Sequence, residues 1–372
     1  MPKLRFRKAV EVLPPYTPAK SLEAIKHELG LERIVRLSAN ESTMGCSPRV
    51  GPAIVQALKN IYLYPDGASS LLKSKLAQVH QCQSEQVIVG SGSFEILSLI
   101  AEALIEPGDE CIIPTPTFGW YQTVTLAMGG QAVKVLLEDH CINLNSIKSK
   151  MNRNTKVIWL CNPNNPTGTI FTKESVEEFL SQIPGNIAVV FDEAYFDYVE
   201  REDYPDATQF LHFPNVISLR TFSKTFGLAG LRVGYGIGNI EFIDILNRIR
   251  LPLNVNVLAQ VAAVASLEDP GFKSTVLENN RKGKEFFYHS FQRMGLVYIP
   301  TETNFIMVDA AQDSALVFEK LLRKGVSVRP GVEFAMPTWL RITIGRPGEN
   351  EFLIEKLKEV LNEIEGGKDH DH

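Results

Sequence analysis

Residues 220–232 read Arg-Thr-Phe-Ser-Lys-Thr-Phe-Gly-Leu-Ala-Gly-Leu-Arg, directly after the apolar run Val216 to Leu219. One turn therefore carries Lys224, two hydroxyl neighbours (Thr221 and Ser223) and Arg232, with glycines between them. A lysine amine can add to an aldehyde and form a Schiff base, and hydroxyls beside a planar guanidinium can hold a phosphate. Most lysines are solvated surface charges, so it is the company of Lys224 that marks it. A cation such as Arg232 nearby depresses the amine's pKa and favours the neutral nucleophile.

Other unusual residues stand at the ends of other apolar runs, where ligands bind in open α/β sheets. After Val89 comes Gly90-Ser91-Gly92-Ser93. Glycines let the backbone close on an anion, and a helix starting at Ser93 offers free N–H groups. After Leu160 comes Cys161-Asn162-Pro163-Asn164-Asn165-Pro166-Thr167-Gly168, a proline-stiffened turn dense in amides, with Asn165 the candidate donor to a phenolic oxygen. After Phe191 comes Asp192-Glu193-Ala194-Tyr195. A carboxylate there is partly desolvated and needs a positive partner, which a pyridinium N–H supplies, while Tyr195 can address the other side of the same ring. Phe118, in Pro116-Thr117-Phe118-Gly119-Trp120-Tyr121, can stack on a flat ring; Trp120 and Tyr121 read as core aromatics. An amine for an aldehyde, a phosphate cradle and a carboxylate for a ring nitrogen are together what pyridoxal phosphate requires.

The elements that must position these residues follow from periodicity. Residues 86–89, 111–113, 132–136, 156–160, 187–191, 216–219 and 232–237 read as strands. Several are continuous apolar runs, as expected when helices cover both faces of a sheet. A helix runs from Ser93 to about Ile105, and another spans Lys173 to Ile183, capped by Thr172 and closed by Pro184-Gly185. Strand–helix alternation implies a mostly parallel sheet with right-handed crossovers. Helices follow over 257–267 and 272–294, then strand 304–308, helix 314–323, strands 326–329 and 340–344, and helix 349–363. The expected fold class is α/β: a large domain over 41–260 and a smaller α+β domain over 261–372, joined by the arm of residues 1–40.

Composition bounds the function. At 372 residues the chain exceeds one typical core, and 44% hydrophobic with 22% charged residues is ordinary for a globular protein. A net charge of −5 gives no basic field for nucleic acid. No apolar run approaches the roughly 20 residues that span a bilayer, and the basic N-terminus lacks the apolar stretch of a secretory signal. Cys46, Cys82, Cys111, Cys141 and Cys161 are odd in number and show no C-x-x-C spacing. We expect neither a disulfide framework nor a metal site, and a cytoplasmic location. Asp369-His370-Asp371-His372 reads as a frayed end.

In this order, the pieces resemble a fold-type I pyridoxal-phosphate aminotransferase from about Pro14 to Leu361, and within that superfamily the histidinol-phosphate aminotransferases. The supporting strings are Pro15-Tyr16-Thr17-Pro18, Tyr64-Pro65-Asp66-Gly67, Asn162 to Gly168, Asp192 to Tyr195, Ser223 to Arg232 and Leu340-Arg341-Ile342-Thr343-Ile344-Gly345. The resemblance implies an aspartate-aminotransferase-like fold with pyridoxal 5'-phosphate. It implies that Lys224 is the Schiff-base lysine and proton shuttle, that Asp192 pairs with the ring nitrogen, and that Asn165 and Tyr195 bind the 3-oxygen. Phe118 would stack on the ring. Thr221, Ser223, Arg232 and Ser93 would hold the phosphate, with Phe94 also among the cofactor-binding positions. Tyr64 matches a tyrosine that the family lends across a homodimer interface. Arg341 matches the substrate-anion arginine; Arg329, Tyr16, Asn304 and Asn40 would line the substrate pocket.

Three positions depart from the family pattern. Phe94 stands where an acidic residue is usual, Leu63 where an arginine is common, and Ser42-Thr43-Met44 replaces the usual Asn-Pro-aromatic sequence after Asn40-Glu41. The implied reaction is ping-pong transamination of histidinol phosphate with 2-oxoglutarate, so the partners are small amino and 2-oxo substrates. An aromatic amino-acid aminotransferase and an amino-acid-phosphate decarboxylase share the scaffold. A cofactor-sensing regulator would need a DNA-binding extension, and the N-terminal residues show no helix-turn-helix pattern.

Overall fold

The computed structural model describes residues 4–16 and 20–368. Thr17, Pro18 and the Asp369–His372 tail lie outside the described residues. Seven strands form the central sheet: β2 (Val87–Gly90), β3 (Glu110–Thr115), β4 (Gln131–Leu136), β5 (Thr155–Cys161), β6 (Ala188–Asp192), β7 (Val216–Thr221) and β8 (Gly234–Gly238). Their order is β2-β8-β7-β6-β5-β3-β4. The β3–β4, β3–β5, β5–β6 and β6–β7 pairs are parallel, whereas β8 runs antiparallel to β2 and β7. The expected α/β fold with a mostly parallel sheet is therefore observed.

The short length and β-branched residues of these runs favour strands, and burial on both faces explains why they are continuously apolar. Every residue of β2, β6, β7 and β8 is buried, and only one of β5 is not. Apolar clusters lie on either face. One joins Ile96, Ile100, Tyr121, Trp159 and Val190; the other joins Leu160, Val176, Phe179, Val189 and Phe191. Adjacent residues of β5 and β6 thus serve opposite layers, so an alternating polar pattern is absent.

A second sheet has the order β12-β13-β10-β9, with β9 (Tyr298–Ile299), β10 (Phe305–Asp309), β12 (Arg329–Pro330) and β13 (Trp339–Thr343). Residues 326–330, expected as one strand, divide between two sheets. β11 (Val326–Ser327) pairs in parallel with β1 (Val35–Arg36), while β12 turns to pair with β13. The end of the N-terminal arm is thereby stitched to the smaller unit. The strand expected from Arg232 starts two residues later, because Arg232 sits at φ 56° after a short 3-10 turn. Thr172 occupies the N-cap position of its helix, but its side chain makes no capping bond there. Among the described residues, no helix is long and apolar enough to cross a membrane.

Candidate active site

The carboxyl ends of β5, β6 and β7 deliver Asn165, Asp192 and Lys224: Asp192 is the last residue of β6, and the other two lie on the loops that follow β5 and β7. The three asparagines of the 162–168 turn divide their work. Asn162 Oδ1 accepts from the Phe171 N–H at 3.2 Å. The Asn164 amide donates to the Pro116 carbonyl (3.1 Å) and Thr167 Oγ1 (2.9 Å), and its Oδ1 accepts from Thr117 Oγ1 (2.7 Å). Asn164 thus locks the turn to the loop carrying Phe118 and Asn162 ties it to the chain that follows, leaving Asn165 to face the site.

Asp192 and Glu193 are both buried, and their immediate partners differ. Glu193 enters a closed network with Arg220 (2.9 Å), Ser218 (2.5 Å) and Tyr204 (2.9 Å). Asp192 accepts from Tyr121 Oη at 2.7 Å and from the Ala194 N–H at 3.2 Å. Burial pushes the Asp192 carboxyl up to about 6, although both hydrogen bonds and the Lys224 charge pull it down. Such a carboxylate lacks a full cationic partner, and a protonated ring nitrogen is the group that supplies one.

Tyr121 is in the core as expected, and carries a role that sequence reasoning missed. It is a core aromatic, stacked on Trp159 with centroids 5.6 Å apart, yet its hydroxyl is the side-chain donor to Asp192. The available signal was its place three residues after Phe118, at the start of the Trp120–Met128 helix. Phe118 itself is half-buried and meets Phe94 (5.2 Å) and Tyr121 (5.4 Å) edge-on.

Lys224 Nζ donates to the Ala39 carbonyl at 3.2 Å and lies 5.7 Å from the Tyr195 ring centroid. Desolvation and the nearby Arg341 charge lower its pKa to about 8, with Arg232 adding to the effect and Glu41 and Asp192 opposing it. Tyr195 Oη accepts from Asn40 Nδ2 at 2.9 Å, and burial raises its phenol. Asn40, at φ 56°, also donates its N–H to Thr343 Oγ1 (2.9 Å) and receives the Asn304 amide on its carbonyl (3.0 Å).

The anion cradle is built at close quarters. Thr221 and Ser223 hydroxyls lie 3.0 Å apart. Gly92 has φ 78°, and a Cβ there would stand 2.6 Å from Arg232 Nη2; one at Gly234 would stand 2.5 Å from the Ser93 nitrogen. The Ser93 helix start, the two hydroxyls and the guanidinium therefore surround a space that only glycines leave open. These residues fit a phosphate, and with Lys224 and Asp192 they fit pyridoxal phosphate.

Arg341 is buried. It donates to Asn165 Oδ1 (2.6 Å) and to the Ser38 carbonyl (2.9 Å), while its Nε is shielded and without a partner. Burial and the adjacent Arg329 charge lower its pKa to about 10. Arg329, cross-strand from Arg341, is half exposed and ion-paired with Glu333 at 2.5 Å. Tyr16 and Tyr64 are 84% and 87% exposed, and neither hydrogen-bonds to this cluster among the described residues.

A lysine, an anion cradle and a buried carboxylate at the carboxyl edge of a mostly parallel sheet define an α/β enzyme built around an aldehyde cofactor. Residues 32–357 match the family model of aminotransferase class I and II, and the chain belongs to that family. It is 46% identical to the histidinol-phosphate aminotransferase of Caldicellulosiruptor saccharolyticus, over 96% of this chain and all of the relative. It is 45% identical to histidinol-phosphate aminotransferase 2 of Carboxydothermus hydrogenoformans, over 95% of this chain and 99% of that one. The solved histidinol-phosphate aminotransferase of Sinorhizobium meliloti, in complex with pyridoxal-5'-phosphate, superposes with TM-score 0.88 at 27% identity, over 97% of this chain and 98% of that chain.

Proposed function

We propose that this aminotransferase uses pyridoxal 5'-phosphate to transfer the amino group of histidinol phosphate to 2-oxoglutarate, a step of histidine biosynthesis. The observation that carries the cofactor is the buried Asp192, raised to about 6 and aimed with Tyr121 behind it. The cofactor, when bound, supplies the electron sink. The chain supplies the rest. Asp192 holds the counter-charge to a protonated nitrogen. Asn165 and Tyr195 address the ring oxygen, Phe118 the ring face, and Ser93, Phe94, Thr221, Ser223 and Arg232 surround the phosphate. Lys224 Nζ, neutral above about pH 8, takes the proton from the substrate Cα and returns it on the other side of the reaction.

The substrate reading rests on the names of the relatives and on a pair of arginines. Arg341 has a shielded Nε that lacks a partner, and Arg329 stands across the strand pair from it. Two cross-strand guanidiniums suit an anionic substrate once Arg329 exchanges Glu333 for it. Asn40 contributes its side chain beside them, Asn304 acts through Asn40, and Tyr16, exposed and without a hydrogen bond to this cluster among the described residues, is read as reaching the pocket from the arm once substrate is bound. Tyr64, exposed at the end of the apolar stretch Ile61 to Tyr64, is read as serving the site of a second copy in a homodimer. Five unpaired cysteines support a reducing, cytoplasmic compartment.

Steady-state assays with histidinol phosphate, phenylalanine, tyrosine, aspartate and threonine phosphate test the substrate. Histidinol phosphate is expected to have the highest kcat/KM; no turnover of it, with brisk turnover of an aromatic amino acid, sinks the reading in favour of the aromatic aminotransferase. Carbon dioxide release from threonine phosphate favours the decarboxylase.

A further inference from the structure

The loop Glu41-Ser42-Thr43-Met44-Gly45 lies against the Lys224 turn at both ends. At its start Ala39 accepts from Lys224 and Asn40 donates to Tyr195. At its end the Gly45 carbonyl is so close to Gly227 that a Cβ there would stand 1.9 Å from it. Behind the loop, toward the smaller unit, is a partly open cavity of about 10 Å³ bordered by Ser42, Thr43, Asn280 and Asn304, with Glu41, Tyr198 and Asn279 as its other polar neighbours. Each of these four contributes a shielded polar atom without a partner: Ser42 Oγ, Thr43 Oγ1, Asn280 Oδ1 and Asn304 Oδ1. They are half of the eight such atoms among the described residues, so their meeting in one small cavity is not scatter.

The hydrogen bonds around the cavity fix what it wants. Asn280 Nδ2 donates to the Thr303 carbonyl and Asn304 Nδ2 to the Asn40 carbonyl, each at 3.0 Å. Both amides are thereby oriented, and their oxygens need donors. The two hydroxyls need an acceptor for their protons. One water has two O–H donors and two lone pairs, and the volume is that of a single water. A bare cation would satisfy the four oxygens and leave both hydroxyl protons without an acceptor. Asn280 and Asn304 are at least nine-tenths buried, so bulk solvent does not meet the need of their oxygens, while Ser42 and Thr43 are half-buried at the cavity's outer side.

We propose that Ser42, Thr43, Asn280 and Asn304 enclose one ordered water that ties the 41–45 loop to the smaller unit and holds Asn40 against Tyr195. Ser42, Thr43 and Asn280 are positioning residues: they act through Asn40, whose left-handed backbone is otherwise held by Thr343 and Asn304 alone. The functional consequence rests on the reading of Tyr195 as a ligand of the cofactor ring; the water site itself does not.

A crystal structure of the holoenzyme, at a resolution that shows ordered water, tests the site directly. One density peak within about 2.7–3.2 Å of all four atoms is expected. An empty cavity, or side chains turned to bond one another, overturns the proposal. So does an anomalous peak after exchange of the buffer cations for rubidium, which identifies a cation site. The positioning role is read from the pH titration of the holoenzyme's visible absorbance band. Thr43→Val, which keeps the volume and removes the hydroxyl, is expected to move the midpoint by about half a unit or more, while Thr43→Ser leaves it in place. A Thr43→Val protein of lowered Tm with an unmoved midpoint overturns the positioning role and leaves the water site standing. Should Thr43→Val fail to fold, Ser42→Ala is read in the same titration against the same outcomes.

Discussion

Two ionisable groups of opposite sign face the same space, and each is held away from its ordinary pKa by burial. Lys224 falls to about 8 and Asp192 rises to about 6. For the lysine the sign is direct. Desolvation favours the neutral amine, so the nucleophilic fraction is about half at pH 8, nearly complete about a unit above it, and falls close to tenfold per unit below it. The rate at which apoenzyme captures the cofactor, followed by visible absorbance, is expected to climb with pH with its midpoint near 8 and to level off about a unit above; a midpoint near about 10.4, the value of an unperturbed lysine, contradicts the assignment.

For the carboxylate the informative partner is Tyr121, whose O–H opposes the effect of burial. Tyr121→Phe removes one hydrogen bond to a charged group, about 1.5–3 kcal/mol, and so should lower kcat/KM roughly 10- to 100-fold. The same change leaves Asp192 less favoured as the anion, so the acid limb of the pH–rate profile moves upward. An unmoved limb would mean that Tyr121 only fills space.

At the scale of elements, function is set by where strands stop and what closes behind them. The 162–168 turn presents Asn165 because Asn162 and Asn164 bond backward and because Gly168, at φ 75°, lets Thr301 of the smaller unit close on it. A Cβ at Gly168 would stand 2.0 Å from Thr301 Oγ1. Gly168→Ala is therefore expected to cost at least about 2 kcal/mol, read from the denaturant midpoint, and to weaken cofactor retention with it. An unchanged midpoint would show that Thr301 can give way. Packing also locates the joint between the units. The Val257–Leu267 helix contributes Ala259, Ala262 and Ala263 to the cluster of Val87 and Val89, whereas Phe287 and Phe291 of the Pro270–Arg293 helix pack with Leu340 and Ile342. We propose that the large domain runs to about Glu268.

At the scale of the whole molecule, the stretch Ile61 to Tyr64 leaves four large apolar or aromatic side chains at least 56% exposed. A second copy covers such a stretch and receives Tyr64 at its phosphate cradle in the arrangement proposed above. Subunit mixing tests this. Tyr64→Ala and Lys224→Ala chains, each inactive or nearly so, are refolded together. A dimer with shared sites regains activity, because one heterodimer site has both intact residues. If each site is built within one chain, the mixture does no better than the sum of its parts.

The sheet, the order of its strand-end loops and the candidate residues those loops carry were legible in the chain alone. Apolar runs buried on both faces leave little freedom of interpretation, and Lys224, Asp192, Asn165 and the glycine turn at 90–93 are marked by their neighbours in the chain. Contacts distant in sequence were not legible. No periodicity announces that Tyr121 reaches Asp192 across 71 residues, or that Arg341 meets Asn165 across 176. Nor does one show that residues 326–330 split between two sheets, since β11 exists only because β1 pairs with it. Tertiary structure decided these because a hydrogen bond between buried side chains depends on distance in space, and local sequence carries only distance along the chain.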